Sequence, residues 1–241
     1  MLTSKVAGYS AVRLAHLVWD QGVVGSNPTT PTINQKFMEL QIHPQAKALI
    51  FDLDGTLSDS LPVHIASWDN VRKQFNCSFD KRIMVEMTGA PTVLFAERIK
   101  KEQNLDVEVD VLVRMKHEEF RKNIHRIKQH DSVVNLMKSA YGKMPLAVGT
   151  GASRASAMGQ LIELNLLDYF DCIVTADDVS RHKPEPDTFV KCAELMGVDV
   201  SNCQVFEDGE LGMDAALSVG MILTDVRPFV TDPFSSSLIE A

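Results

Sequence analysis

The feature that most constrains this chain is an apolar run that stops on two acids. Ala46-Lys47-Ala48-Leu49-Ile50-Phe51 leads directly into Asp52-Leu53-Asp54-Gly55-Thr56. So nearly unbroken a run predicts a buried strand covered on both faces. Residues two apart on a strand share a face, so Asp52 and Asp54 can both project from its carboxyl end, where Gly55 lets the chain turn sharply. Like charges about 4 Å apart at an effective dielectric near 20 repel by roughly 4 kcal/mol, so one acid protonates or a cation sits between them. A strand that merely ends in solvated acids is the plainer alternative, and these residues alone leave it open.

Beyond this strand the pattern changes twice. Ser60 and Pro62 can open a helix, and Ile65, Trp68, Val71 and Phe75 recur at helical spacing. Segments 80–87, 91–103 and 107–127 are rich in Glu, Lys, Arg, Met and Leu, and Gly89-Ala90-Pro91 breaks them. Residues 59–131 therefore read as a helical insertion. Alternation follows: strand 146–150, helix 153–166, strand 171–175, helix 186–196, strand 203–207, helix 210–219 and strand 221–225. That succession predicts an α/β, doubly wound, mainly parallel sheet built from 46–58 and 132–230, with a short tail over 231–241. Ligands of such sheets bind beyond the carboxyl ends of the strands.

Residues 1–37 differ from the rest, with weak periodicity and the turn-rich Gly25-Ser26-Asn27-Pro28-Thr29-Thr30-Pro31. A signal peptide is not expected, because Arg13, His16 and Asp20 interrupt any apolar h-region. Gly-Ser-Asn-Pro is what one frame of the transfer-RNA T-arm sequence GGTTCGAATCC encodes. The segment is thus expected to be a non-structural extension, with Met38 the true start.

Of the 241 residues 45% are hydrophobic and 23% charged, a composition typical of a folded protein. A formal net charge of −8 without a Lys/Arg run argues against a nucleic-acid or anionic-membrane surface. No apolar run is long enough to span a bilayer. The dispersed Cys77, Cys172, Cys192 and Cys203 suggest reduced thiols rather than a disulfide framework or zinc site. The expectation is a folded cytoplasmic protein, a monomer.

Four groups stand out, of which the first, second and fourth close predicted strands: Asp52 with Asp54; Thr150 in Gly149-Thr150-Gly151; Lys183 in Lys183-Pro184-Glu185-Pro186-Asp187; and Glu207-Asp208-Gly209. Each alone is ordinary turn chemistry. In this order they resemble the haloacid dehalogenase superfamily, whose motifs are DxD, a strand-closing Thr or Ser, a Lys and a late acidic pair. The resemblance covers about residues 46–227 and implies a Rossmann-like core with an all-helical cap.

It also implies roles. Asp52 is the nucleophile that forms an aspartyl-phosphate, and Asp54 the acid and then base. Dehalogenating members lack the second acid, so phosphoryl transfer is favoured. Mg²⁺ suits hard oxygen ligands. By resemblance Asp52 and Asp208 supply carboxylates and Asp54 its carbonyl, while Glu207 orients the water shell or binds directly. Lys183, the Thr150 hydroxyl and the Gly151 amide, expected at a helix start, face the phosphoryl oxygens.

Substrate choice falls to the cap. His64 matches a cap histidine that faces the site in β-phosphoglucomutase-like relatives, a structural histidine being the alternative; Trp68 reads as cap core. Thr92 stands where the mutases carry a phosphate-gripping arginine, which argues for a single phosphate, although Arg98 or Lys100 could substitute. The expected function is a Mg²⁺-dependent phosphatase of a small sugar or sugar-acid monophosphate, of the fructose 1-phosphate or 6-phosphogluconate type. A hexose-phosphate mutase and a non-catalytic phospho-ligand binder are the alternatives.

Overall fold

The computed structural model describes residues 39–77, 83 and 87–230. The expected extension over 1–37 with Met38, most of the expected helix over 80–87, and the tail over 231–241 lie outside these residues. Strand β1 (Ala48–Phe51) is buried at every position. With β4 (Leu146–Gly149), β5 (Cys172–Val174), β6 (Cys203–Glu207) and β7 (Ile222–Asp225) it forms a sheet in the order β5-β4-β1-β6-β7. All four pairings are parallel. The crossovers run through helices α4 (Asp131–Ala140), α5 (Arg154–Glu163), α6 (Asp187–Met196) and α7 (Glu210–Ser218).

The pleat divides the apolar residues between two faces. Leu49, Phe51, Val148 and Phe206 pack with Met137 of α4 and Leu161 of α5. Ala48, Ile50, Ala147 and Val205 pack with Phe189 of α6 and Ala216 of α7. The chain thus winds along one face from β1 to β5 and returns along the other to β6 and β7. Strand order reverses between β1 and β6, which opens a crevice at their carboxyl ends. Helix α4 went unread in the sequence although Val133, Val134, Met137 and Ala140 form its buried stripe.

Between β1 and α4 lies the helical insertion, with α1 (Leu61–Gln74), α2 (Thr92–Gln103) and α3 (Val109–Asn123). It has its own core of Trp68, Val71, Ile83, Phe95, Ile99 and Leu112. Its two crossings to the sheet pair as an antiparallel ribbon, β2 (Ser58–Asp59) with β3 (Lys128–Gln129), which the helical reading did not foresee. Among the described residues no helix is long and apolar enough to cross a membrane.

Candidate active site

Asp52 follows β1 directly and is 1% exposed. Its Oδ1 accepts from Lys183 Nζ at 2.7 Å, and its Oδ2 is buried with no hydrogen-bond partner among the described residues. Lys183, on the segment entering α6, also donates to Glu207 Oε2 at 2.8 Å and lies 4.5 Å from the Phe189 ring centre. Burial opposes its charge, but the two carboxylates raise its pKa above that of an ordinary lysine. Glu207 closes β6 with both oxygens engaged, since Oε1 accepts the amides of Asp208 at 3.2 Å and Gly209 at 2.9 Å. Asp208 Oδ1 accepts from Thr56 Oγ1 at 2.8 Å. Gly55 has a φ of +91°, and a Cβ there would fall 2.2 Å from Asp208 Oδ2, so this turn admits glycine for two reasons.

Asp54 faces a different environment. Its Oδ1 accepts three bonds: from Ser60 Oγ at 2.5 Å, His64 Nε2 at 2.9 Å and Gln160 Nε2 at 2.9 Å. Burial pushes its carboxyl up, yet His64 and these donors hold it well below the usual carboxylate range. His64 is itself lowered, by burial first and then by the charge of Lys116. Because an ionised Asp54 can only accept, His64 donates to it through Nε2. The His64 ring stacks on Phe120, with centroids 4.3 Å apart, so it combines packing with a bond to the site.

Above these groups lies a cavity of about 300 Å³ between the strand ends and the helical insertion, lined by Asp52, Asp54, Thr150 and Gly151 below and by His64, Thr92, Trp68 and Lys116 above. Thr150 is 1% exposed, and its Oγ1 accepts from the Ala152 amide at 3.0 Å. Helix α5 begins only at Arg154, capped by Ser153, so Gly151 precedes the cap rather than opening the helix. A Cβ on Gly151 would meet the Gly89 carbonyl oxygen at 2.1 Å; here the insertion rests backbone to backbone on the sheet. Thr92, the first residue of α2, lies 3.3 Å from His117 Nε2 through its Oγ1. Trp68 packs on Phe95 at 4.9 Å in the insertion core while also lining the cavity. Neither Arg98 nor Lys100 lines it; Arg98 pairs with Glu102 along α2, and the lysine facing the cavity is Lys116.

Residues 49–226 match the family model of the haloacid dehalogenase-like hydrolases. The chain belongs to that family. A fructose-1-phosphate phosphatase of Escherichia coli (strain K12) is 40% identical over 179 residues, 74% of this chain and 95% of its relative. A β-phosphoglucomutase of Bacillus subtilis is 26% identical over 75% of this chain and 83% of its own length. The crystal structure of a β-phosphoglucomutase from Clostridium difficile shares the fold with a TM-score of 0.67 at 21% identity, covering 81% of this chain and 96% of that one. This haloacid dehalogenase-like chain is therefore an enzyme of the phosphatase kind, with sugar-phosphate phosphatases among its homologues.

The family generally uses Mg²⁺, and the donor set here suits a hard cation. Carboxylate oxygens of Asp52, Glu207 and Asp208 lie within 4.8 Å of one another. Burial first, then neighbouring carboxylates, push Asp52 well above its ordinary pKa, and Asp208 up to about 8. A divalent ion would relieve both and give the partnerless Asp52 Oδ2 a ligand to bind. Glu207, already held by Lys183 and two amides, is placed to fix its neighbours.

Ser60, Lys116 and Gln160 were not read from the sequence as site residues. Two of them carried a signal. Lys116 interrupts the buried stripe Leu112, Lys116, Phe120 of α3, and Gln160 sits among Ala157 and Leu161 on the buried face of α5. A polar residue on an apolar face is buried only with a partner.

Proposed function

We propose that this enzyme hydrolyses a small sugar monophosphate, of the fructose 1-phosphate type, through an aspartyl-phosphate on Asp52. The observation that supports it is the division of labour between the two acids: Asp52 is tied to Lys183 through one oxygen, while Asp54 has one oxygen saturated by donors. An Asp52 oxygen attacks phosphorus, the bond from phosphorus to the sugar oxygen breaks, and Asp54, whose Oδ2 takes up a proton as the anionic phosphate binds beside it, delivers that proton to the departing alkoxide. Asp54 then takes a proton from water as it attacks the aspartyl-phosphate, and the bond from phosphorus to Asp52 breaks. Lys183 and the Thr150 hydroxyl balance charge on the non-bridging oxygens. Mg²⁺, held by Asp52, Asp208 and the Asp54 carbonyl, would supply further neutralisation of that charge.

Substrate size follows from the cavity, which lies at the lower end of the roughly 300–1,000 Å³ common for small-molecule sites and suits a monosaccharide. At the Thr92 position the cavity is lined by that threonine, whose hydroxyl meets His117, pushed down to about 4 by burial and by Lys116, so neither residue brings the charge of a phosphate clamp. Phosphate release measured across a panel of sugar monophosphates, with and without Mg²⁺, tests this reading. Mg²⁺-dependent release from a ketose or hexose 1-phosphate is expected. Dominant isomerisation of glucose 1-phosphate after priming with a bisphosphate would replace it with a mutase.

A further inference from the structure

We propose that Gln160 is a positioning residue that holds the Asp54 carboxylate toward the leaving group whatever the placement of the helical insertion; this rests on the reading of Asp54 as the proton donor. Three donors meet on Asp54 Oδ1, and they come from two bodies. Ser60 is the residue before α1 and His64 lies on α1, so both belong to the insertion. Gln160 lies on α5, beside Ala157 and Leu161 in the cluster under the sheet. It is the donor anchored to the core. With Oδ1 fixed in this way, Oδ2 is the oxygen left to carry the proton.

Gln160 is 0% exposed, and its Oε1 has no hydrogen-bond partner among the described residues. A leucine would pack on this face without that cost. Turning the amide over would set Oε1 against Asp54 Oδ1, acceptor on acceptor, so the carboxylate itself dictates that Nε2 faces it. The side chain therefore spends one buried, unpaired oxygen to aim one donor at a catalytic carboxylate.

The experiment compares kcat/KM, which reports the steps up to aspartyl-phosphate formation, for the preferred sugar phosphate and for p-nitrophenyl phosphate. The aryl leaving group needs no proton; the sugar alkoxide does. Gln160→Met should lower kcat/KM on the sugar phosphate by about 10-fold, a fraction of the 10²–10⁴-fold that a proton donor contributes as a whole, and on the aryl phosphate by less than about 2-fold. In an Asp54→Asn background the same substitution should add nothing further. Gln160→Leu should repeat the pattern. Equal losses on both substrates, as a packing defect or poor folding would give, or no loss on either, overturn the proposal. Asp54→Asn serves as the separate control. If it leaves sugar-phosphate turnover intact, the assignment of Asp54 falls and Gln160 with it; if it impairs turnover while Gln160→Met does not, only the Gln160 proposal falls.

Discussion

The floor and the roof of the cavity are charged in opposite ways. On the floor, Asp52, Glu207 and Asp208 crowd around one ammonium, Lys183, and the side chains of Lys183 and Glu207 are wholly shielded from water. On the roof, the cation Lys116 is buried against Phe120, with its Nζ 5.0 Å from the ring centre and no carboxylate paired to it among the described residues. Burial pushes Lys116 down to about 8, Asp54 opposing, whereas Asp52 and Asp208 on the floor are pushed up. The floor is short of positive charge and the roof short of negative. A phosphate ester bound with a metal ion supplies both, so chemistry belongs to the strand ends and recognition to the insertion.

The sharpest way to break this contrast is on the floor. Asp52→Asn should reduce phosphate release by on the order of 10⁴-fold or more, as loss of a nucleophile does. Without metal its thermal midpoint should not fall, because one member of a repelling acidic cluster is gone. Retained turnover would remove the aspartyl-phosphate, and a collapsed midpoint would mean that the Lys183 pair outweighs the repulsion.

Backbone geometry sets the next effect. Gly55→Ala meets both the cost of its φ of +91° and a clash with Asp208, whereas Gly142, at +71°, has nothing within 4 Å. Gly142→Ala should cost about 1 kcal/mol of stability and leave turnover alone. Gly55→Ala should cost about 2–3 kcal/mol and raise the Mg²⁺ concentration needed for half activity, which a metal titration reads. Equal behaviour of the two would mean that the Asp208 contact is relieved cheaply.

On the roof, Lys116→Met should act on KM. Loss of one charge-assisted contact worth roughly 1.5–3 kcal/mol predicts a KM increase on the order of 10-fold or more, with kcat changing less. Lys116 carries its charge below about pH 8 and loses it above. The wild-type KM should therefore climb as pH passes about 8, and the variant should not show that climb. Because an unfolded lysine still binds its proton there, the native state gains stability over the same rise, so a weaker KM above pH 8 cannot be ascribed to unfolding.

How much of this was legible depended on how each signal is encoded. The sheet was readable because β1, β4 and β6 are buried on both faces, β1 and β4 appearing as continuous apolar runs and β6 as one broken by Gln204 before its closing acid. The floor was readable because its acids and Thr150 close strands, where chain direction and ligand placement coincide, while Lys183 stands in a Lys-Pro-Glu-Pro-Asp string on the segment entering α6. The Ser60 bond was hidden by a plausible local role, since the residue sits at the N-cap of α1 but makes no side-chain cap bond and gives its hydroxyl to Asp54. Gln160 lies 106 positions from Asp54, and no local spacing links them. The stripe containing Lys116 announced a buried cation without naming its cavity. The β2–β3 ribbon pairs two-residue segments too short for any periodicity.

The smallest effect tests whether the contrast is confined to the cavity. Arg154 Nη2 pairs with Asp178 Oδ2 at 2.5 Å beyond the carboxyl ends of β4 and β5, with side-chain exposures of 47% and 21%. Burial raises the Asp178 carboxyl, but the Arg154 and Thr175 hydrogen bonds bring it down to about 2. A depressed carboxylate stabilises the fold fully above its unfolded pKa, near 4, and the contribution fades as pH falls toward 2. Since solvent screens the pair, Arg154→Ala should cost about 1 kcal/mol or less at pH 7, with the gap in urea midpoints narrowing below about pH 4. Turnover at neutral pH should stay unchanged. A fall in kcat would place this outer pair in contact with the catalytic floor, through the 150–154 turn that also carries Thr150 and Gly151, and would extend the acidic, cation-seeking side of the molecule beyond the cavity.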